Sequence, residues 1–329
     1  MTMVAPGWPD EESPFHEGEL AVQARMGVRE KLDISGRRGI RATMPEQHRT
    51  FFAQLPFLIA GTVDQESQPW ASVLAAPPGF VHSPDPRRLD VDASALFADP
   101  LHRTLAPGAP IGLLGIEPHT RRRNRMNGHV RSVAAGGFSV EVSQSFGNCP
   151  KYIQAREAYF VDTEEREKSG HAVHRALVLT PEMCSLISAA DTLFLATAYD
   201  RRDAADDLPQ HGVDVSHRGG KPGFVRIDDM RTLTLPDFVG NFFFNTIGNL
   251  LLNPRAGLLF IDFANGNLLY VAADAEVIWD GAEVQAFQGA QRLLRFTIRS
   301  AMLVEASLPL RWSAAELSPF LEKTGEWHP

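Results

Sequence analysis

Gly112-Leu113-Leu114-Gly115-Ile116-Glu117 returns 145 residues later as Gly257-Leu258-Leu259-Phe260-Ile261-Asp262. Upstream, Pro78-Gly79-Phe80-Val81 returns as Pro222-Gly223-Phe224-Val225 at an offset of 144. Thr43-Met44-Pro45-Glu46 runs into Phe57-Leu58-Ile59-Ala60-Gly61-Thr62. Its counterpart is Thr180-Pro181-Glu182 running into Phe194-Leu195-Ala196-Thr197, with the prolines 136 apart. Matches in one order with so little drift argue for a duplicated unit of about 140 residues, far longer than a solenoid repeat. Most of the drift is localised. The turn Asp64 to Gln68 is replaced in the second copy by the longer, charged stretch Asp200 to Gly212, and surface turns accept such insertions.

Each copy reads as β structure. A short helix is expected to open each one, with Thr43 or Thr180 as N-cap and proline at the first helical position. In the second copy the β-branched and aromatic runs 193–198, 223–227, 233–235, 257–263, 268–277 and 293–304 predict six short strands. Asn265-Gly266 signals a type I′ hairpin. A second helix is expected over 241–252, closed by Asn253-Pro254. Strands without regular βα alternation predict a mainly β fold, a small antiparallel β-barrel with flanking helices, built twice. The organisation is then a leader with one amphipathic helix (1–42), a first barrel (43–156), a charged linker (157–179), a second barrel (180–310) and a tail (311–329).

The chain of 329 residues is long enough for sizeable cores, and 44% of it is hydrophobic. Lys and Arg number 32 against 40 Asp and Glu, a net charge of −8. That balance lacks the basic field of a nucleic-acid binder. Two cysteines, Cys149 and Cys184, suit a reducing compartment. The first residues lack the basic and apolar regions of a signal peptide, and no apolar run reaches the ~18–20 residues of a membrane span. A cytoplasmic protein with neither membrane nor nucleic acid as partner is expected. His171-x-x-His174 has no cysteine or carboxylate pair at metal-ligand spacing, so no metal is assigned. Neither a Gly-x-Ser-x-Gly elbow nor a Walker loop is present.

Several longer motifs carry a resemblance. They are Pro14-Phe15-His16-Glu17-Gly18-Glu19, Arg121-Arg122-Arg123-Asn124-Arg125-Met126-Asn127-Gly128 and Gln144-Ser145-Phe146-Gly147-Asn148-Cys149-Pro150-Lys151-Tyr152. In the second copy they are Ser216-His217-Arg218-Gly219-Gly220 and Asn245-Thr246-Ile247-Gly248-Asn249-Leu250-Leu251-Leu252-Asn253-Pro254. With the repeated Pro-Gly-Phe-Val and Gly-Leu-Leu, these resemble the FMN-binding split-barrel family. Its best-known member is pyridoxamine 5′-phosphate oxidase, and the tandem flavin-nucleotide-binding branch is the most similar. The likeness runs over about residues 13–305. It implies two tandem split barrels, FMN as cofactor between two barrels, and flavin-mediated electron or hydride transfer with an unidentified small molecule. The alternative on the same fold is a non-catalytic flavin- or haem-binding module for sensing, storage or delivery. The barrels pair either within one chain or between two chains of a homodimer.

The residue chemistry bears on the same ligand. FMN presents a phosphate dianion, a polar ribityl chain and a ring with polar edges, which call for cations, hydroxyls and close backbone approach. Ser216, His217, Arg218 and Lys221 offer these before Pro-Gly-Phe-Val. Asn241, Asn245 and Asn249 fall at intervals of four, beside Thr246, where a helix N-terminus favours phosphate. The family's usual Lys or Arg is replaced there by Asn245-Thr246, which argues against pyridoxamine phosphate as substrate. The cluster Arg121 to Arg125 is a candidate source of the missing cation. From the first copy Arg122, Arg123, Asn127, Gln144 and Lys151 are expected to contribute. The first copy lacks the Ser-His-Arg and Asn-rich motifs, so one site per chain is expected. No catalytic residue is assigned. Cys149 acts as a redox thiol only if its pKa is lowered.

Overall fold

The computed structural model describes residues 7–162, 170–199 and 209–327. The stretch from Asp200 to Leu208 and part of the charged linker lie outside the described residues, as do the chain ends. The fold is mainly β, with two large sheets. The first sheet holds β1 (Phe57–Val63), β2 (Pro69–Ala75), β3 (Val81–Asp85), β4 (Arg88–Val91), β5 (Pro110–Glu117), β6 (Arg122–Ala134) and β7 (Gly137–Gly147). Next come β8 (Ala158–Phe160) and β9 (Val173–Ala176). The second sheet holds β10 (Thr192–Tyr199), β11 (Gly212–Gly219), β12 (Arg226–Asp229), β13 (Thr232–Phe238), β14 (Arg255–Ile261), β15 (Leu268–Ile278) and β16 (Ala290–Val304). β17 (Leu310–Trp312) pairs with β8, and β9 extends the second sheet along β16.

The orders are β2-β1-β5-β6-β7-β4-β3 and β11-β10-β14-β15-β16-β13-β12. Counted within each sheet these are the same permutation. The registers make the match residue-specific. Gly112 lies between Gly61 and Asn127, and Gly257 between Ala196 and Ala272. Stepping outward, Ser72 (opposite Ala60) corresponds to Ser216 (opposite Leu195), and Arg125 (opposite Leu114) to Tyr270 (opposite Leu259).

Among the described residues, seven helices flank the sheets: α1 (Glu17–Arg25), α2 (Arg29–Gly39), α3 (Glu46–Ala53), α4 (Leu101–Thr104), α5 (Pro181–Ala189), α6 (Asn245–Leu252) and α7 (Ala282–Ala286). Thr180 caps α5 by accepting from the Met183 amide, with Pro181 at the first position, as expected. In the first copy the extra Met44 moves the start, and Pro45 rather than Thr43 is the N-cap. The leader holds two helices instead of one, because Gly27 takes φ 66 between them.

Three other expectations are corrected. Pro222-Gly223-Phe224-Val225 is a turn, whereas β11, carrying Ser216 to Gly219, is a strand that the sequence did not suggest. Asn265-Gly266 belongs to a loop of six residues, in which the Asp262 carboxylate accepts from the amides of Ala264 and Asn265. The second helix starts at Asn245, not Asn241.

All of β1 is buried, because both of its faces are covered. Leu58 and Ala60 pack inside the first unit with Leu113 and Met126. Phe57 and Ile59 point the other way, into a core shared with Phe194, Leu259 and Tyr270 of the second sheet. The two sheets therefore pack on one another within a single chain. The repeated glycines sit at this contact. A Cβ on Gly112 would meet the Val213 carbonyl oxygen at 2.3 Å, and one on Gly257 the Pro69 carbonyl oxygen at 2.2 Å. The contact is reciprocal, as in an isologous dimer. Gly112→Ala and Gly257→Ala are each expected to cost about 1–3 kcal/mol through overpacking. An unchanged urea midpoint in either variant contradicts this packing.

Candidate functional site

The site forms where β6 of the first sheet faces β11 of the second. Alternation along β6 sends Arg123, Arg125 and Asn127 toward β11. Met126 enters the first core, and the Arg122 guanidinium lies over the Phe51 ring at 5.0 Å. Arg125 is buried. Its Nη1 donates to Asp214 Oδ1 at 2.8 Å, and its Nη2 to the Val215 carbonyl at 2.9 Å and to Ser216 Oγ at 2.5 Å. Asp214 also accepts from Asn127 and Asn249, both at 2.9 Å.

Arg123 has no carboxylate partner among the described residues. It donates to the Cys149 carbonyl at 2.7 Å and to His217 Nδ1 at 3.3 Å. A guanidinium only donates, so Nδ1 accepts and neutral His217 carries its proton on Nε2. Burial, with Arg123, Arg156 and Arg218 adding to it, holds His217 well below the usual imidazole range. Arg218 donates to Asp237 Oδ1, and Arg292 stands 3.5 Å from the other oxygen of the same carboxylate.

These arginines border an open cavity of about 110 Å³. Arg123, Arg125, Arg218 and Arg292 line it. Among the described residues Asp237 is the only carboxylate in its wall, with Asp214 behind Arg125. Four guanidiniums against two carboxylates leave an excess of two positive charges. Burial pushes Arg123 down to about 10, with Arg125 and Arg218 adding to the effect, and lowers Arg125 and Arg292 too. Among the described residues, Nε of Arg125 and of Arg218, Nε and Nη1 of Arg292 and Nδ2 of Asn148 are buried without a hydrogen-bond partner.

The start of α6 closes the wall. Phe242 and Phe244 both adopt left-handed φ, at 64 and 66, which costs about 1–3 kcal/mol each for bulky residues. Phe244 is the N-cap and supplies no capping side chain, so the first-turn amides of α6 keep their donors. Asn245, Thr246 and Ile247 line the cavity there. Buried cations, orphaned donors and a helix N-terminus together make a receptor for a tetrahedral dianion.

Of the residues expected from sequence, Ser216, His217, Arg218, Asn241, Asn245, Thr246 and Arg123 border this cavity. The others do not. Lys221 pairs with Glu326 at 3.2 Å, Gln144 donates to the Pro14 carbonyl at 2.8 Å, and Lys151 lies 5.5 Å from the Phe320 ring, beside a smaller neighbouring cavity. Asn249, fully buried, braces Thr197 and Asp214. The helix-face argument for Asn241 fails because Asn241 precedes the helix; its Oδ1 accepts from the Phe243 amide instead.

Sequence reasoning passed over Arg292, Asp237 and Glu19. Arg292 had a readable signal, since it shares strand parity with the buried Leu294, Phe296 and Ile298. Glu19 lies in the leader and accepts from Asn245 Nδ2, where α1 crosses α6 at Gly18 and Gly248. Burial, reinforced by Asp214, raises the Glu19 carboxyl well above its usual range.

No protein-family model and no curated protein matches the chain. Solved structures similar to parts of it include a putative pyridoxamine 5′-phosphate oxidase from Lactobacillus delbrueckii, at 17% identity and a TM-score of 0.30, covering 38% of this chain and 94% of that one. HupZ from Group A Streptococcus is 16% identical with a TM-score of 0.28, over 36% and 89% of the two chains. A FAD-binding protein from Mesorhizobium loti is 16% identical with a TM-score of 0.27, over 41% and 99%. Scores this low carry no argument about ligand or chemistry. Among the described residues, no helix is long and apolar enough to cross a membrane.

Proposed function

We propose that the cleft between the sheets binds flavin mononucleotide by its phosphate and that the protein is a flavin-dependent oxidoreductase. The observation that carries this reading is the group of four guanidiniums with an excess of two charges and unpaired N–H donors. A phosphate monoester dianion matches that excess. Both walls come from one chain, so the proposal needs no second chain to complete the site.

A bound flavin supplies a ring that accepts or gives a hydride or electrons. The residues of the chain do the rest. Arg123, Arg218 and Arg292 hold the phosphate, the first turn of α6 adds amides, and Asp214 and Asp237 keep Arg125 and Arg218 in place. His217, held neutral, offers its Nε2 proton as a donor without adding charge. The substrate is an unidentified small molecule, and a cytoplasmic location remains part of the proposal.

One observation favours a second reading. The cavity's 110 Å³ takes a phosphate but falls below the several hundred Å³ of a typical cofactor pocket. That volume leaves no room within the cavity for a substrate beside the phosphate, which favours a module that binds the ligand without turning it over. The absorption spectrum after incubation with FMN and desalting separates the cases. A retained two-band flavin spectrum bleached by a nicotinamide donor supports the oxidoreductase. Retention without bleaching by any reductant partner supports the module, a Soret band points to haem, and a colourless protein defeats both flavin readings.

A further inference from the structure

The pseudo-symmetry of the two sheets gives the cleft a counterpart at the other end of their interface, and that counterpart already contains a carboxylate. Asp99 is fully buried and immediately precedes Pro100 and α4. Its Oδ1 accepts from Ser72 Oγ at 2.5 Å and from the Leu101 amide at 2.8 Å, and its Oδ2 from the Tyr270 hydroxyl at 2.8 Å. Ser72 is the equivalent of Ser216, and Tyr270 of Arg125.

The helices correspond too. Thr62, in β1, bonds Thr104 of α4 at 2.8 Å, and its equivalent Thr197 accepts from Asn249 of α6 at 3.1 Å. Thr104 and Asn249 are 145 residues apart, the same offset as Gly112 and Gly257. On that offset Leu101 matches Thr246, and Asp99 matches Phe244.

The geometry points to two pseudo-equivalent anion sites, one filled from within by Asp99 and one open to a ligand anion received by the Ser216 hydroxyl and the Thr246 amide. The second half rests on the reading of the cleft as an anion site; the first half does not. Ser216 supports the open half. Its oxygen accepts from Arg125 and from Thr246 Oγ1 at 3.1 Å, which leaves its own proton to donate, as Ser72 donates to Asp99. The surroundings differ in the direction that each anion demands. Where the open site has Arg123, Arg125 and Arg218, the filled one has Leu268, Tyr270 and Leu74. A single buried carboxylate is satisfied by neutral hydroxyl and amide donors, whereas a dianion requires cations. The chain therefore takes one ligand anion, not two.

The test uses sulfate and formate as probes. Calorimetric titration of the parent chain with sulfate is expected to show one site per chain. Ser216→Ala is expected to weaken it about tenfold, while Ser72→Ala leaves sulfate affinity unchanged. Asp99→Ala is expected to melt several degrees below the parent and to regain most of that loss in formate but not in chloride at equal ionic strength. If this variant does not fold in plain buffer, its refolding yield with and without formate gives the same answer. Phe244→Asp carries a carboxylate to the matching position of the open site and is expected to lower sulfate affinity at least tenfold in a folded chain. Formate raising the parent and Asp99→Ala equally, or Asp99→Ala melting with the parent, overturns the filled half. A parent that binds no sulfate overturns the open half and the anion reading with it. Two sulfates per chain, or full sulfate affinity in Ser216→Ala or Phe244→Asp, overturns the assigned anion position while leaving the cleft cationic.

Discussion

Arg292→Met is expected to weaken FMN binding about a hundredfold while leaving the unliganded protein as stable as the parent or more so. Arg292 is 2% exposed; among the described residues Nε and Nη1 lack a hydrogen-bond partner, and Nη1 stands 3.5 Å from Asp237 Oδ2. Its nearest carboxylate, Asp237, already accepts from Arg218. A charged hydrogen bond is worth about 1.5–3 kcal/mol, and each 1.4 kcal/mol is about a factor of ten in affinity. Removing Arg292 also relieves repulsion from Arg218 and Arg25. Replacing a poorly paired buried ion by an apolar side chain of similar length is neutral or stabilising, and the rings of Phe244 and Trp279 are there to receive it. FMN titration and thermal melting of the two proteins check both signs. Loss of stability together with unchanged affinity would make Arg292 a structural residue.

Arg125→Ala has the opposite profile. Arg125 is 3% exposed and holds Asp214, the Val215 carbonyl and Ser216 across the interface. Its removal leaves Asp214 buried with, among the described residues, the side-chain amides of Asn127 and Asn249 as its donors. Breaking one partner of a buried ion pair costs about 3–5 kcal/mol, a large part of the stability of an ordinary domain. The urea midpoint of Arg125→Ala is expected to fall accordingly, and the double variant Arg125→Ala, Asp214→Ala to recover part of the loss. Equal loss in single and double variants would show that the pair is not coupled.

The sequence showed the mainly β class and the duplication because both are written in apolar runs that recur in order. The Gly-Leu-Leu repeat is visible for a physical cause, since both copies need glycine where one sheet touches the backbone of the other. β11 was illegible because Asp214, Ser216 and Arg218 put polar side chains on a face that ordinarily reads as core. The start of α6 was misplaced because Asn241, Asn245 and Asn249 fall at helical spacing, whereas Asn241 to Phe244 is an irregular segment with two left-handed phenylalanines. At the site, the lining residues that were legible were those in local motifs, such as Ser216 to Arg218 and Asn245-Thr246. Arg292 and Glu19 come from remote segments: strand parity marks Arg292 as core-facing, but nothing local announces that β16 reaches the cleft or that α1 meets Asn245. Arg122 and Arg123 show the limit of a charge run: alternation sends one to the cavity and the other onto Phe51.

The central claim is that the cleft recognises the phosphate of its ligand. Calorimetric titration of one preparation with FMN and with riboflavin, which differs by that phosphate, isolates the contribution. The four guanidiniums predict at least a hundredfold preference for FMN, diminishing in Arg292→Met. Equal affinity for the two flavins, or binding of neither, would contradict the account.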